Sequence, residues 1–171
     1  MIDLREYISE VPDFPKPGIL FRDIQPLIAA PTAFRVAVEQ MAEAAKQARA
    51  EMLVAVESRG FLFGAPMALH LNLPLVIARK PGKLPGDLEQ VKYGLEYGKD
   101  SLEMKRGAVP RGTKVSIVDD VLATGGTCLA AADLVTRVGG EVVSFNFLLE
   151  LAGLHGRERL GAVRVDSLVT Y

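Results

Sequence analysis

VSIVDDVLATGGT, residues 115–127, sets a β-branched apolar run against two adjacent carboxylates and then against Thr-Gly-Gly-Thr. Val115–Val118 predicts a buried strand, and Gly126 predicts the start of a helix. Asp119 and Asp120 repel each other at this junction, and glycines at a helix start cost backbone entropy. A bound ligand is expected to offset both. Backbone N–H groups at the positive end of the helix dipole, approachable at Gly125 and Gly126 and flanked by the Thr124 and Thr127 hydroxyls, suit a phosphate monoester. The spacing is neither that of the nucleotide P-loop, which needs a lysine after its last glycine, nor GxGxxG. The carboxylates suit other chemistry. They accept hydrogen bonds from the vicinal hydroxyls of a sugar carrying that phosphate, or hold a hydrated Mg²⁺. A sugar phosphate is the expected ligand.

Outward from this stretch, strands and helices alternate. MLVAV (52–56), PLVIAR (74–79), KVSIV (114–118), EVVSFNFLL (141–149) and VRVDSLVTY (163–171) read as strands. Helices are expected from Pro31 to about Ala50, with Phe34, Val36, Val38, Met41, Ala45 and Ala48 towards the core, from Phe61 to His70, and from Gly126 to Val138. Ile2 to Val11 reads as a short amphipathic helix broken by DFPKPG (13–18). KPGKLPGDLEQ (80–90) reads as a polar mobile loop, and VKYGLEYGKDSLEMKRG (91–107) as a hairpin of two short strands. This order implies one α/β domain over residues 1–171, a mainly parallel sheet flanked by helices. Ligands of such sheets bind beyond the carboxyl ends of the strands, where ESRG (57–60), RKPGK (79–83) and DDVLATGGT (119–127) fall.

Composition narrows the function. The 171 residues are 49% hydrophobic and 24% charged with net charge −1, so no global basic field exists to hold nucleic acid or an anionic membrane. The single cysteine, Cys128, excludes an internal disulfide, fits a reducing cytosol and reads as a core residue. His70 and His155 are far apart and lack cysteine partners, so no metal-ligand spacing is present. MIDLREYISEV lacks the basic start and apolar core of a signal peptide, and no apolar run approaches a membrane span, so a cytoplasmic location is expected.

VSIVDDVLATGGT resembles the signature of the type I phosphoribosyltransferases, whose shared substrate is phosphoribosyl pyrophosphate. The resemblance continues through FPKPGILFRDI (14–24), VESRGFLFGAP (56–66), ARKPGKLPG (78–86) and YGLEYGKDSLE (93–103), in the family's order. Within that family the chain is similar to the branch that uses adenine. The resemblance implies a small N-terminal hood and base-binding segment over about residues 1–31, a hairpin and flexible-loop insertion, and a homodimer. It also implies an Mg²⁺-dependent transfer giving AMP and pyrophosphate, with the metal held mainly by substrate and waters, near Asp119 and Asp120.

Residue by residue, the resemblance assigns ribose and 5-phosphate to Asp119, Asp120, Ala123, Thr124, Gly125, Gly126 and Thr127. Pyrophosphate falls to Glu57, Ser58, Arg59 and Gly60, in a loop that often carries a non-proline cis peptide, with Arg79, Lys80 and Lys83 adding positive charge. Glu96 is the implied general acid or base facing the purine. Leu20, Phe21 and Arg22 are the implied adenine site: Phe21 stacks, and backbone groups of the other two read the base edge. No obvious acidic or basic side chain awaits a 6-oxo group, which favours adenine over hypoxanthine or guanine. A non-catalytic sensor of the same ligand would be expected to carry a basic face or an added nucleic-acid-binding domain, and neither is visible. Small departures from the family pattern are Ala55, where glycine is common, and Ser116 and Leu122 in an otherwise aliphatic pattern.

Overall fold

The computed structural model describes residues 2–94 and 100–171. Glu96 lies outside the described residues. The chain opens with a 3-10 turn, Leu4–Tyr7, whose preceding Asp3 carboxylate accepts from the Arg5 N–H. A two-stranded antiparallel ribbon follows, β1 (Ser9–Pro12) with β2 (Leu20–Asp23), in which Val11 faces Phe21. This corrects the helix expected over Ile2–Val11. Leu4 and Ile8 do reach the core, but Ser9–Pro12 finds its backbone partners in β2, and so short a helix has little stability of its own.

Helices α1 (Gln25–Ala29) and α2 (Pro31–Gln47) lead into β3 (Met52–Val56), which is buried along its whole length. Of the expected core positions on α2, Val38, Met41 and Ala45 are buried, while Phe34, Val36 and Ala48 are half-buried. Helix α3 (Gly60–Leu71) connects to β4 (Leu75–Ala78). The antiparallel hairpin β5 (Leu88–Tyr93) and β6 (Asp100–Lys105) comes next. β5 begins inside the stretch expected to be loop, because Leu88 already pairs with Lys105 in a six-rung ladder. Then come β7 (Lys114–Leu122), α4 (Gly126–Arg137), β8 (Glu141–Glu150), the one-turn helix α5 (Gly156–Arg159) and β9 (Arg164–Thr170).

β4, β3, β7, β8 and β9 form, in that order, a parallel five-stranded sheet. One face packs on the N-terminal turn, α1, α2 and α3 around Phe63, Met67 and Met41. The other is covered jointly by α4 and the β5–β6 hairpin, with Leu102, Met104, Leu134 and Phe145 at its centre. Helices alone were expected to cover both faces; the hairpin's Val91, Leu102 and Met104 supply apolar area that one helix does not. Ser116, the departure from the aliphatic pattern, is fully buried beside Ser144 and Asn146. Its Oγ accepts from Ser144 Oγ at 2.9 Å and from Asn146 Nδ2 at 2.5 Å, so its hydroxyl joins a local polar trio.

Ala55, another departure, sits beneath α3 at Gly64, where an added Cβ would lie 2.6 Å from the Ala55 Cβ. The helix rests that closely on β3 because one of the two positions has no side chain. Gly64→Ala should therefore destabilise the protein despite alanine's helix propensity: overpacking costs about 1–3 kcal/mol against a helical gain of about 1 kcal/mol. Adding Ala55→Gly should recover most of the loss in urea unfolding. A Gly64→Ala protein as stable as its parent would mean that α3 is free to shift.

Candidate active site

The sheet order fixes where the site forms. From β3 the chain winds outward to β4 and then returns to the far side of β3 as β7, so the direction of winding reverses between β3 and β7. Such a switch point leaves a crevice outside the strand ends. Residues 57–60 leave β3 there, and β7 delivers residues 119–127 beside them. A cleft of about 590 Å³ opens between them, lined by Glu57, Ser58, Arg59, Lys80, Asp119, Asp120, Ala123 and Thr127, with Tyr93, Asp100 and Val121 completing the wall.

Both acids belong to β7 itself, whereas the apolar run alone placed the strand's end at Val118. Pairing with β8 continues to Leu122, opposite Glu150, and the ladder carries the carboxylates with it. Asp119 Oδ1 accepts from the Asp120 N–H at 2.9 Å. Asp120 has only 6% of its side chain exposed, and its Oδ2 lies 2.9 Å from Arg59 Nε. The N–H is not aimed at that oxygen, and Oδ2 has no hydrogen-bond donor among the described residues. Burial, then the charge of Asp120, pushes Asp119 well above the usual carboxylate range. Burial raises Asp120 as well, against the pull of Arg59. The pair resists carrying two charges.

Gly60 makes this proximity of β7 and α3 possible. A Cβ there would lie 2.8 Å from the Val118 carbonyl and 3.1 Å from Asp119 Oδ1. The turn after β7 then presents donors. Gly125 takes φ +78°, the left-handed conformation glycine adopts without steric cost, and precedes α4. The N–H groups of Thr124, Gly125, Gly126, Thr127 and Cys128 donate to no acceptor among the described residues. Unpaired helix-start amides of this kind suit an anion. Cys128 lies buried just behind them, as expected of a core residue, with its thiol pushed well up by burial and the two nearby acids.

The cationic side divides. The Glu57–Ser58 peptide is cis. Glu57 accepts from Arg79 Nε and Nη2 at 3.3 and 3.2 Å and from the Lys80 N–H at 2.7 Å. Burial alone would raise its carboxyl, but the Lys80 amide and the Arg79 guanidinium hold it below the usual value. Arg79 is thus turned to Glu57, while Arg59 and Lys80 line the cleft and Lys83 stays exposed on the adjoining loop. Glu103, which no local pattern marks, steadies that loop: its Oε2 accepts from the Gly82 N–H at 3.1 Å.

On the opposite side, Phe21 is half-buried on the N-terminal ribbon, edge-on to Phe14 with ring centroids 5.1 Å apart. The Arg59 guanidinium lies 5.7 Å from the Phe21 centroid, so one arginine bridges the aromatic ribbon and Asp120. Arg22 is paired with Glu10, and its guanidinium sits 3.8 Å over the Tyr171 ring; Leu20 is exposed. Tyr93, at the end of β5, has its hydroxyl 3.5 Å from Thr127 Oγ1, a wall position that the sequence gives no reason to single out.

Comparison with known proteins agrees with this geometry. The phosphoribosyl transferase domain matches residues 33–170. An adenine phosphoribosyltransferase of Synechococcus sp. is 49% identical over 171 residues, covering 99% of this chain and 98% of that one. The crystal structure of adenine phosphoribosyltransferase from Thermoanaerobacter pseudethanolicus superposes with a TM-score of 0.94 at 47% identity, covering 98% of each chain. The Saccharomyces cerevisiae enzyme, solved with an imino-altritol bisphosphate and adenine, gives 0.89 at 39% identity over 96% of each chain.

The strained acid pair has a measurable consequence. A carboxyl whose folded pKa is raised above its unfolded value costs stability as pH rises from the ordinary carboxylate range through the raised value. Asp119→Asn removes that cost and keeps an oxygen for the Asp120 N–H. In thermal melts of the ligand-free protein, the variant should unfold at higher temperature than its parent at neutral pH, with the gap closing below about pH 4. Equal melting at every pH would contradict the assignment of strain to Asp119.

Proposed function

Because the chain belongs to the phosphoribosyltransferase family, we propose that it transfers the 5-phosphoribosyl group from phosphoribosyl pyrophosphate to adenine, giving AMP and pyrophosphate in purine salvage. One observation carries this reading. Among the described residues, a buried Asp120 carboxylate oxygen lacking a donor shares one strand-to-helix segment with the run of unpaired amides from Thr124 to Cys128. Vicinal hydroxyls answer the first need and a phosphate monoester the second, and a phosphorylated ribose supplies both.

In the reaction, adenine N9 bonds to C1 of the ribose, the C1–O bond to pyrophosphate breaks, and the proton on the purine must leave. Asp119 and Asp120 accept from the ribose hydroxyls, and their negative charge stabilises the oxocarbenium-like transition state. Amides and hydroxyls from Ala123 to Thr127 anchor the 5-phosphate. Ser58, Arg59, Gly60 and Lys80 receive the leaving pyrophosphate, with Lys83 adding charge from the adjoining loop. The Glu57–Arg79 pair holds the Lys80 amide in place. Phe21 stacks on the purine and the backbone of Leu20 and Arg22 reads its edge. Glu96 takes the purine proton.

The donor set also bears on Mg²⁺. No group of three or more His, Cys, Asp or Glu that could hold a metal occurs among the described residues, and Asp120 already faces Arg59. Such residues fit an ion brought by the substrate's diphosphate with its waters, with Asp119 and Asp120 as neighbouring acceptors. When bound, Mg²⁺ neutralises the departing pyrophosphate. No described helix is long and apolar enough to cross a membrane, and the single thiol fits the reducing cytoplasm proposed here as its location. A homodimer completes the reading: on α3, Leu62 and Leu69 are 41% and 85% exposed, apolar area suited to a second copy.

Assays offering adenine, hypoxanthine and guanine separately with phosphoribosyl pyrophosphate should show turnover of adenine. Tight binding of phosphoribosyl pyrophosphate with no base turned over would leave a sensor in place of an enzyme. Glu96→Gln should lower kcat more than it raises KM, and Asp119→Asn should weaken phosphoribosyl pyrophosphate by about tenfold, the weight of one charge-assisted hydrogen bond. Near-native kinetics in both variants would overturn these roles.

A further inference from the structure

The transfer chemistry gives no task to α5, yet this one-turn helix in the return from β8 to β9 touches the phosphate turn at three points. A Cβ on Gly156 would lie 2.2 Å from the Ala123 carbonyl oxygen, and a Cβ on Gly125 would lie 2.9 Å from the Gly156 oxygen. Arg159 Nη1 donates to the Thr124 carbonyl at 2.8 Å. We propose that Arg159 is a positioning residue for the 5-phosphate: it locks the Thr124–Gly125 peptide plane from behind and places a fixed positive charge at the rear of the turn.

A trans peptide is planar, with its C=O and N–H pointing in opposite directions. Fixing the Thr124 oxygen towards α5 therefore points the Gly125 N–H the other way, to the side where the phosphate is expected. Gly125, at φ +78°, is a glycine with much conformational freedom to lose when it is ordered. A tether on the preceding carbonyl removes much of that loss before substrate arrives, which is preorganisation.

Charge adds to this. Arg157, two residues earlier, is committed to Glu150, with Nη2 2.5 Å and Nε 3.0 Å from the carboxylate oxygens. Arg159 meets no carboxylate within 4.0 Å among the described residues. Arg159 lines a cavity of about 680 Å³ together with Thr124, Gly126, Thr127, Tyr93 and Asp133, the last paired with Arg137. A permanently charged group so placed favours a doubly negative phosphate, and its remaining N–H groups stay free to follow the turn.

The proposal rests on the reading that Ala123–Thr127 holds the 5-phosphate, and calorimetric titration separates the two. Ribose 5-phosphate and pyrophosphate are titrated separately into the parent, Arg159→Ala and Arg159→Lys. Arg159→Ala should bind ribose 5-phosphate about tenfold or more weakly, with pyrophosphate affinity and melting temperature unchanged. Arg159→Lys should recover part of the loss, and in assays KM for phosphoribosyl pyrophosphate should rise while kcat at saturation holds. Unchanged ribose 5-phosphate affinity in Arg159→Ala would overturn the proposal, as would equal weakening of both ligands. If the parent itself binds pyrophosphate but not ribose 5-phosphate, the 5-phosphate site falls, and this inference with it.

Discussion

The parallel pairing of β3 with β7 is the constraint on which the rest depends. It sets Met52 beside Val115 and Ala55 beside Val118, so the chain leaving β3 and the chain leaving β7 emerge together at one edge. A slip of two residues would keep every apolar side chain on its face and still move the acids by roughly 7 Å along the strand. Arg59 could then no longer reach Asp120, and Gly60 would no longer lie against Val118. Register is thus checked twice: by apolar burial below the edge, and by an ion pair and a glycine contact above it.

Much of this was legible in the sequence, and the reasons are physical. Met52–Val56 and Lys114–Val118 announce themselves because strands buried on both faces need near-continuous apolar runs rich in β-branched residues. The Thr-Gly-Gly-Thr turn is legible because few other roles explain two glycines at a helix start. What escaped depends on partners far along the chain. Ser9–Pro12 becomes a strand because Leu20–Asp23 is there to pair with it, which the apolar spacing of Ile2–Val11 does not reveal. β7 continues through Asp119 and Asp120 because β8 continues beside it. Glu57 and Arg79 look like independent site residues in sequence, yet they face each other. Gly156, Arg159, Glu103 and Tyr93 carry no local signal, since each acts through contacts with residues remote in the chain.

Site and scaffold also pull against each other. Two carboxylates side by side in a largely enclosed strand end, and five amides without acceptors among the described residues, are costs that a purely structural sequence would avoid. They are tolerable because the sheet beneath is packed on both faces, and because Arg59, α5 and the glycines at 60, 125 and 156 hold the costly groups in a single arrangement. The ligand then finds its hydrogen-bonding partners already in place.

The sole thiol of the molecule lies within the first turn of α4, buried behind the helix-start amides, and its pKa is pushed up by that burial and by the two nearby acids. A thiol reagent can reach it only when that turn lifts from the sheet. The protein therefore carries its own gauge of local opening. The speed at which Cys128 takes up a label records how often the turn before α4 comes apart, without any introduced probe.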